Sequence, residues 1–347
     1  MELSQRKKQI LFKSVEDYIQ SALPITSMSV HKRHLNDVST ATLRAELSTL
    51  EAMGFLKQLH TSGGRIPTSK AYRLYVDEIM KVNKFNKKQL GVIKNLFSQR
   101  SNLLSEIVNN IAKTVSEVTN YPTVVLLNGF DKLTINSIKI VPLIDNSMLL
   151  LIATNAGVVN NNIETKSFVT EQNCIDASTY LTKKFKGKSI ANMICEMQNI
   201  KDDFNSDLKE YEDIFNCLVD GLINLIEKEN REVSIRGTVK LLNNPEYSSL
   251  ENAKNIIKIL EDEESLMNLF DFGNSEAEIT FSIGEENQNK ELNSCSVIKA
   301  NYNLNGENIA KIGVIGPERM DYSKIAGALK FIVDEAKNLN RLENKED

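Results

Sequence analysis

The chain has 347 residues, of which 25% are charged and 41% hydrophobic, and a net charge of −4. No apolar run reaches the roughly 20 residues of a membrane-spanning helix. The charged opening "MELSQRKKQILFKSVEDYIQSA" lacks the apolar stretch of a secretory leader, so a cytosolic protein of two or three domains is predicted. The charge is uneven. Residues 1–88 hold fifteen Lys/Arg against eight Asp/Glu, a net +7, which leaves −11 on the remainder. A basic head on an acidic body predicts a polyanionic partner for the head alone.

In the head, Leu11, Val15, Tyr18, Ile19 and Ala22 recur at helical spacing and predict a first helix over Ser4–Ser21. Pro24 breaks it. Thr26 or Ser27 can cap a short second helix reaching His34 or Leu35, and Ser39 can cap a third that runs to about Met53 and stops at Gly54. On the third helix Leu43, Leu47 and Leu50 form one stripe, which must face a core. The opposite side presents Ala41, Thr42, Arg44, Ala45, Ser48 and Thr49: small or hydrogen-bonding side chains that suit entry into a DNA major groove.

"FLKQLH" then reads as a strand, "TSGGR" as a turn whose Gly63 and Gly64 permit positive φ, and Ile66 as a short return strand that Pro67 ends. Thr68 or Ser69 caps a helix carrying Tyr72, Tyr75 and Val76. A hairpin directly behind three helices is the winged form of a helix-turn-helix. Lys32, Arg33, Arg65, Lys70 and Arg73 are its predicted phosphate or minor-groove contacts. Ser39 and Thr40 at the recognition-helix start and Gly63 and Gly64 in the wing complete the predicted DNA-binding set. A nucleotide loop is the rival reading, but neither Gly-Lys-Ser/Thr nor G-x-G-x-x-G is present.

A basic connector, Lys81–Lys88, leads to a predicted long helix from Gln89 to about Val118. From Pro122 to Ile163 the pattern is β: "TVVLL", "LTINSIKIVPLI", "SMLLLIATN" and "GVVNNNI". Residues 168–230 read as helical, with two shorter helices over roughly 250–270. Strand pattern resumes at "AEITFSIG", then a hairpin marked by Asn305-Gly306, before a last helix from about Tyr322 to Leu342. Strands on both sides of a helical block predict one α+β domain carrying an insertion; two independent domains are the alternative.

No catalytic constellation emerges. There is no histidine beyond His60, and no G-x-S-x-G, H-E-x-x-H or Walker-type sequence, so an enzyme is not predicted. Cys174, Cys195, Cys217 and Cys295 show no C-x-x-C pairing and read as buried thiols. His31-x-x-His34 lacks further ligands nearby, so these histidines and His60 read as exposed or DNA-facing; no metal and no cofactor are predicted.

The stretches "VSTATLRAELSTLEAMGFLKQLHTSGGRIPTSKAYRLYVD", "IGEEN" and "IGVIGPERMDYSKI" together resemble the heat-inducible transcription repressor HrcA family. The resemblance implies a winged helix-turn-helix over 1–88 and a linker helix with the first part of a GAF-like domain over 89–165. A mainly helical dimerising domain would be inserted over 166–245, and the rest of the GAF-like domain would occupy 246–347. It further implies a homodimer that binds an inverted-repeat operator of chaperone operons (CIRCE-type), with the chaperonin GroEL promoting the binding state. A regulator that takes a small molecule in the GAF-like domain is the alternative. The chain departs from the family pattern in Thr40 for proline, Ala45 for asparagine and Gly63 for alanine. Ala45 removes one possible adenine contact.

Overall fold

Ser4 accepts a hydrogen bond from the Lys7 N–H and so starts the first helix, α1 (Gln5–Ser21). Thr26 and Ser29 form a reciprocal capping box at α2 (Ser27–Arg33). Ser39 caps α3 (Thr40–Ala52), and Gly54 follows in the left-handed region at φ +77°. Strands β1 (Leu56–Gln58) and β2 (Arg65–Pro67) pair antiparallel, and α4 (Ser69–Glu78) closes the head. Pro67 is the last residue of β2 and pairs with Leu56 at the end of the ladder, where its missing N–H is tolerated. Ile10, Leu11, Val15, Val30, Leu43, Leu47, Leu50 and Leu56 are buried together as the head's core.

The computed structural model describes residues 3–59, 63–78, 80, 91, 103–127, 129–144, 146–165, 168–203, 216–225, 233–247, 250–270, 277–287, 289–304 and 307–343. His60, the connector 81–88, most of the predicted helix before residue 103 and the Asn305-Gly306 turn lie outside them. Helix α5 (Leu104–Thr119) begins at Leu103, which is extended (φ −80°, ψ 129°) and bridges Val158. The predicted continuous helix from Gln89 to Val118 is therefore interrupted.

The body contains two antiparallel sheets. In one, β3 (Thr123–Leu127) lies between β7 (Val233–Arg236) and β10 (Glu307–Pro317), followed by β9 (Cys295–Leu304) and β8 (Ile279–Ile283). Alternate residues of β3 enter different cores, as a strand covered on both faces requires. Val125 and Leu127 join α5 and the last helix, α11 (Tyr322–Glu343), whose Ile325, Leu329 and Ile332 are buried. Val124 and Leu126 join the opposite layer, α9 (Leu250–Glu261) and α10 (Glu263–Leu269).

The other sheet consists of β4 (Ile135–Pro142), β5 (Ser147–Thr154) and β6 (Val158–Glu164), accompanied by α6 (Glu171–Phe185), α7 (Ile190–Asp203) and a helical run at 216–225, α8. Edge strand β4 is sealed by α6. The Ile138 N–H donates to Thr182 Oγ1 at 2.9 Å and the Ile140 N–H to Ser178 Oγ at 2.8 Å.

Because β3 pairs with β10, two segments far apart in the sequence share one sheet. Strands β4–β6 share no ladder with β3, so the sheet-to-sheet division falls between Leu127 and Ile135, and β7 rejoins the larger sheet at Val233. Cys174 and Cys295 are buried, whereas Cys195 is exposed and Cys217 half-buried, which corrects the reading of all four as buried. No helix among the described residues is long and apolar enough to cross a membrane.

Thr182→Val removes the acceptor of a buried backbone donor and is expected to lower unfolding stability by about 1–3 kcal/mol, read by urea denaturation.

Candidate nucleic-acid interface

The Ser39 side chain accepts from the Thr42 N–H at 3.1 Å and lies 2.9 Å from the Thr42 hydroxyl, so the first turn of α3 is held at its cap. Leu43, Leu47 and Leu50 are completely buried. That burial decides the helix's rotation. Ala41, Arg44, Ala45, Ser48 and Thr49 are consequently exposed, with Thr40 and Thr42 half-buried at the edge of the face. Thr49 donates its hydroxyl to the Ala45 carbonyl at 3.0 Å, which turns its methyl, not its hydroxyl proton, toward an incoming surface. Arg44 has no protein partner among the described residues, and neither has Lys32 on α2.

Four other predicted cations are committed to the protein. Arg33 Nη1 lies 3.2 Å from the buried carboxylate of Asp17 on α1, which also holds His34 Nε2 at 2.8 Å. Arg65 Nε donates to Glu51 at 2.7 Å and its Nη2 to Ser48 Oγ at 3.0 Å, leaving the side chain only 15% exposed. Arg65 thus bolts the wing strand to α3. Lys70 is exposed but gives its ammonium to the Met53 carbonyl at 3.0 Å, above the Phe55 ring. Arg73 turns away from α3 altogether and binds Glu286 and the Phe281 carbonyl of the body.

The histidines are corrected as well. His31 Nδ1 lies 2.9 Å from the Val38 carbonyl and His34 faces Asp17, so both brace the turn between α2 and α3 instead of facing outward. Gly64 is not at positive φ. A Cβ there would stand 2.8 Å from the Ile25 carbonyl oxygen, because the Arg65 and Ile25 backbones pair directly, so close approach explains this glycine. Gly63 is exposed beside it. Lys57, exposed on β1, was not singled out by the sequence. No group of three His, Cys, Asp or Glu suited to a metal occurs among the described residues.

The family model "HrcA protein C terminal domain" matches residues 105–326. The protein named heat-inducible transcription repressor HrcA from Clostridium acetobutylicum is 33% identical, over 99% of this chain and 100% of its own. Its namesake from Acetivibrio thermocellus is 31% identical, over 100% and 99%. The chain belongs to the HrcA family. A crystal structure described as a hypothetical protein at 2.2 A resolution has the same fold, with a TM-score of 0.71 at 20% identity over 98% of this chain and 99% of that one. The HrcA relatives carry the name of transcription repressors, not of enzymes. In this HrcA chain the two quoted body motifs, "IGEEN" and "GPERMDY", lie against the head, a location their sequence did not reveal.

Ser39→Ala should lower the head's stability by about 1 kcal/mol through loss of the α3 cap, measured by thermal or urea unfolding. Arg65→Ala should cost on the order of 1–2 kcal/mol by releasing β2 from α3, with faster amide hydrogen exchange across β1 and β2 as the local readout.

Proposed function

We propose that this chain is a cytoplasmic, DNA-binding transcriptional repressor of heat-shock (chaperone) operons. It acts as a homodimer, each recognition helix α3 entering one half of an inverted-repeat, CIRCE-type operator, since protein and DNA two-folds coincide. The observation that carries this reading is the outward face of α3, where Arg44, without a partner among the described residues, stands among Ala41, Ala45, Ser48 and Thr49. Small side chains allow close approach to base edges, and a guanidinium without a protein partner is available to guanine or phosphate. The net charge of +7 over residues 1–88 favours the same partner.

The engaged arginines narrow the proposed contacts. Lys32 and Lys57 supply phosphate contacts, joined by Lys70 through the two ammonium protons that its bond to the Met53 carbonyl leaves over, and Arg44 with Ser39, Thr40, Ala41, Thr42, Ala45, Ser48 and Thr49 forms the groove-facing set. Arg33, Arg65, Gly63 and Gly64 shape the turn and wing that bring these groups to DNA. The chaperonin GroEL is the proposed partner that promotes the binding state, which couples repression to the load of unfolded protein. The larger sheet with its flanking helices is the proposed GAF-like domain, and the β4–β6 module with α6–α8 the inserted dimerising domain.

A small molecule in the body is the second reading. An open cleft of about 460 Å³ is lined by Asn109, Lys113, Ser116, Arg236, Gly237 and Lys240. Arg236 is bonded to Asn109 and Lys240 to the Ser116 carbonyl, while Lys113 and the carboxylate of Glu117 share the lining, so the cleft offers both signs of charge to a polar ligand.

A salt-dependent titration against an inverted-repeat chaperone operator and a scrambled duplex, with and without GroEL, tests the proposal. Operator-selective binding that GroEL strengthens is the expected result; equal, steeply salt-dependent binding to both duplexes refutes it. Arg44→Ala should weaken operator binding by about 1–3 kcal/mol and relax sequence preference. Lys32→Ala should weaken binding to all sequences alike and reduce the salt slope by about 1.

A further inference from the structure

Helix α4 has two faces. Ala71, Tyr75 and Val76 are buried with the rest of the head, while Ser69, Tyr72 and Arg73 meet the body. Arg73 presents its fork to Glu286. Its Nε donates to Oε1 at 2.8 Å, and its Nη2 reaches both Oε2 and, at 2.8 Å, the Phe281 carbonyl. Glu286 is aimed in turn by the Ile283 N–H, which donates to Oε2 at 2.9 Å. Its Nη1 donates to Asp77 of the same helix at 3.2 Å, and a planar guanidinium held at all three nitrogens has one orientation, so this pair specifies geometry as well as attraction.

A second contact stands beside it. The Ser69 hydroxyl donates to Glu318 Oε1 at 2.6 Å. Gly284, at φ +59°, leaves the room: a Cβ there would meet Glu318 Oε1 at 2.3 Å and Ser69 Oγ at 2.6 Å. Next in the chain, Arg319 donates from Nη1 to the Ile19 carbonyl at 2.9 Å, one of the last-turn acceptors of α1, while Glu246 holds its other edge. Between these polar contacts the Tyr72 ring packs on Tyr322, centroids 5.9 Å apart. Tyr322 is itself fixed by its hydroxyl, which donates to the Glu318 carbonyl at 2.6 Å and takes a bond from Ser296 at 2.7 Å.

Burial pushes the Glu318 carboxyl up from its ordinary range, against the bond from Ser69. For Glu286 burial also raises, but the Arg73 and Ile283 hydrogen bonds together outweigh it and hold the group below its ordinary value. The Arg73–Glu286 pair is therefore intact at neutral pH and is lost only as pH falls below the ordinary glutamate range, through the depressed value of Glu286.

The head has its own caps, and its buried residues run through Tyr72 into one apolar cluster with the body; apolar packing is not directional, so the polar contacts of Ser69 and Arg73 determine the head's orientation on the body. We propose that Glu286 and Glu318 are positioning residues for operator recognition: by clasping Arg73 and Ser69 of α4 they set the direction of α3 relative to the body, and so the half-site spacing that a dimer accepts. This rests on the reading of the chain as a dimeric operator-binding protein. Two recognition helices reach one duplex together only at the separation their bodies impose, whereas unclasped heads engage half-sites over a range of separations at a reduced effective concentration.

The test compares the full-length protein on an operator of native spacing and on operators with one half-site displaced by about 5 bp, half a helical turn. Wild type should prefer native spacing. Glu286→Ala and Glu318→Ala should each lower that preference, Glu286→Ala by about tenfold (about 1.4 kcal/mol), and leave affinity for an isolated half-site unchanged. Glu318→Gln keeps the acceptor for Ser69 and should retain the preference. Glu286→Arg should abolish it, and the charge-swapped Arg73→Glu/Glu286→Arg pair should restore it, because the clasp is rebuilt with its poles reversed. A charge swap that fails to restore the preference and also loses half-site binding makes Arg73 a DNA contact and overturns the proposal. Undiminished preference in Glu286→Ala and Glu318→Ala overturns it as well, with the operator reading intact. Wild-type binding indifferent to operator sequence overturns both.

Discussion

The pairing of β3 with β10 is the constraint on which the body depends. It joins Thr123–Leu127 to Ala310–Val314, two segments separated by most of the body's sequence, and places β3 in the interior of a five-stranded sheet. Closing so long a loop carries an entropic cost that grows only slowly with its length, so an entire module can be accommodated between the two strands. The strands repay that cost by being covered on both faces: α5 and α11 on one side, α9 and α10 on the other. The same pairing places the start of α11 and the Glu318–Tyr322 turn at the end of the sheet where α4 docks.

The head depends on a shorter-range constraint. Three leucines on α3 bury completely, and that burial alone decides which residues remain outside. Arg44 is exposed because it is out of register with the stripe. Its freedom has a further cause. The neighbouring acidic groups are already claimed: Glu51 by Arg65, Asp17 by Arg33 and His34, and Glu46 by Lys7. A basic surface built this way has fewer available cations than its net charge suggests.

The head and body are also not independent electrostatically. The acidic "IGEEN" and "GPERMDY" segments supply Glu286 and Glu318 to α4, so part of the body's negative charge lies against the positive head. Charge complementarity of this kind fixes register between two packed units more than it stabilises them, since exposed and half-buried pairs contribute little net free energy. Arg73, a candidate for DNA by its type and position after the wing, is directed by this pairing to the body.

Local chemistry determined much of the molecule directly from the sequence. Ser4, Thr26 and Ser39 cap the helices they precede, Gly54 ends α3, and the spacing of Leu43, Leu47 and Leu50 orients the candidate interface. Each is a relation among residues a few positions apart, where backbone geometry leaves few choices. Tertiary structure decided the rest. Strands β4–β6 alternate and turn like those of the larger sheet, yet among the described residues they form a sheet of their own that shares no ladder with it and is sealed by α6. Val233–Arg236, too short and too near helical sequence to stand out, becomes a strand because β3 offers it an edge. Whether an arginine faces DNA, a wing or another domain depends on which carboxylate is brought beside it, and that partner lies 14 residues away for Arg65 and 213 for Arg73. Periodicity carries the rotation of a helix, but pairing across such distances is settled only when the core has closed.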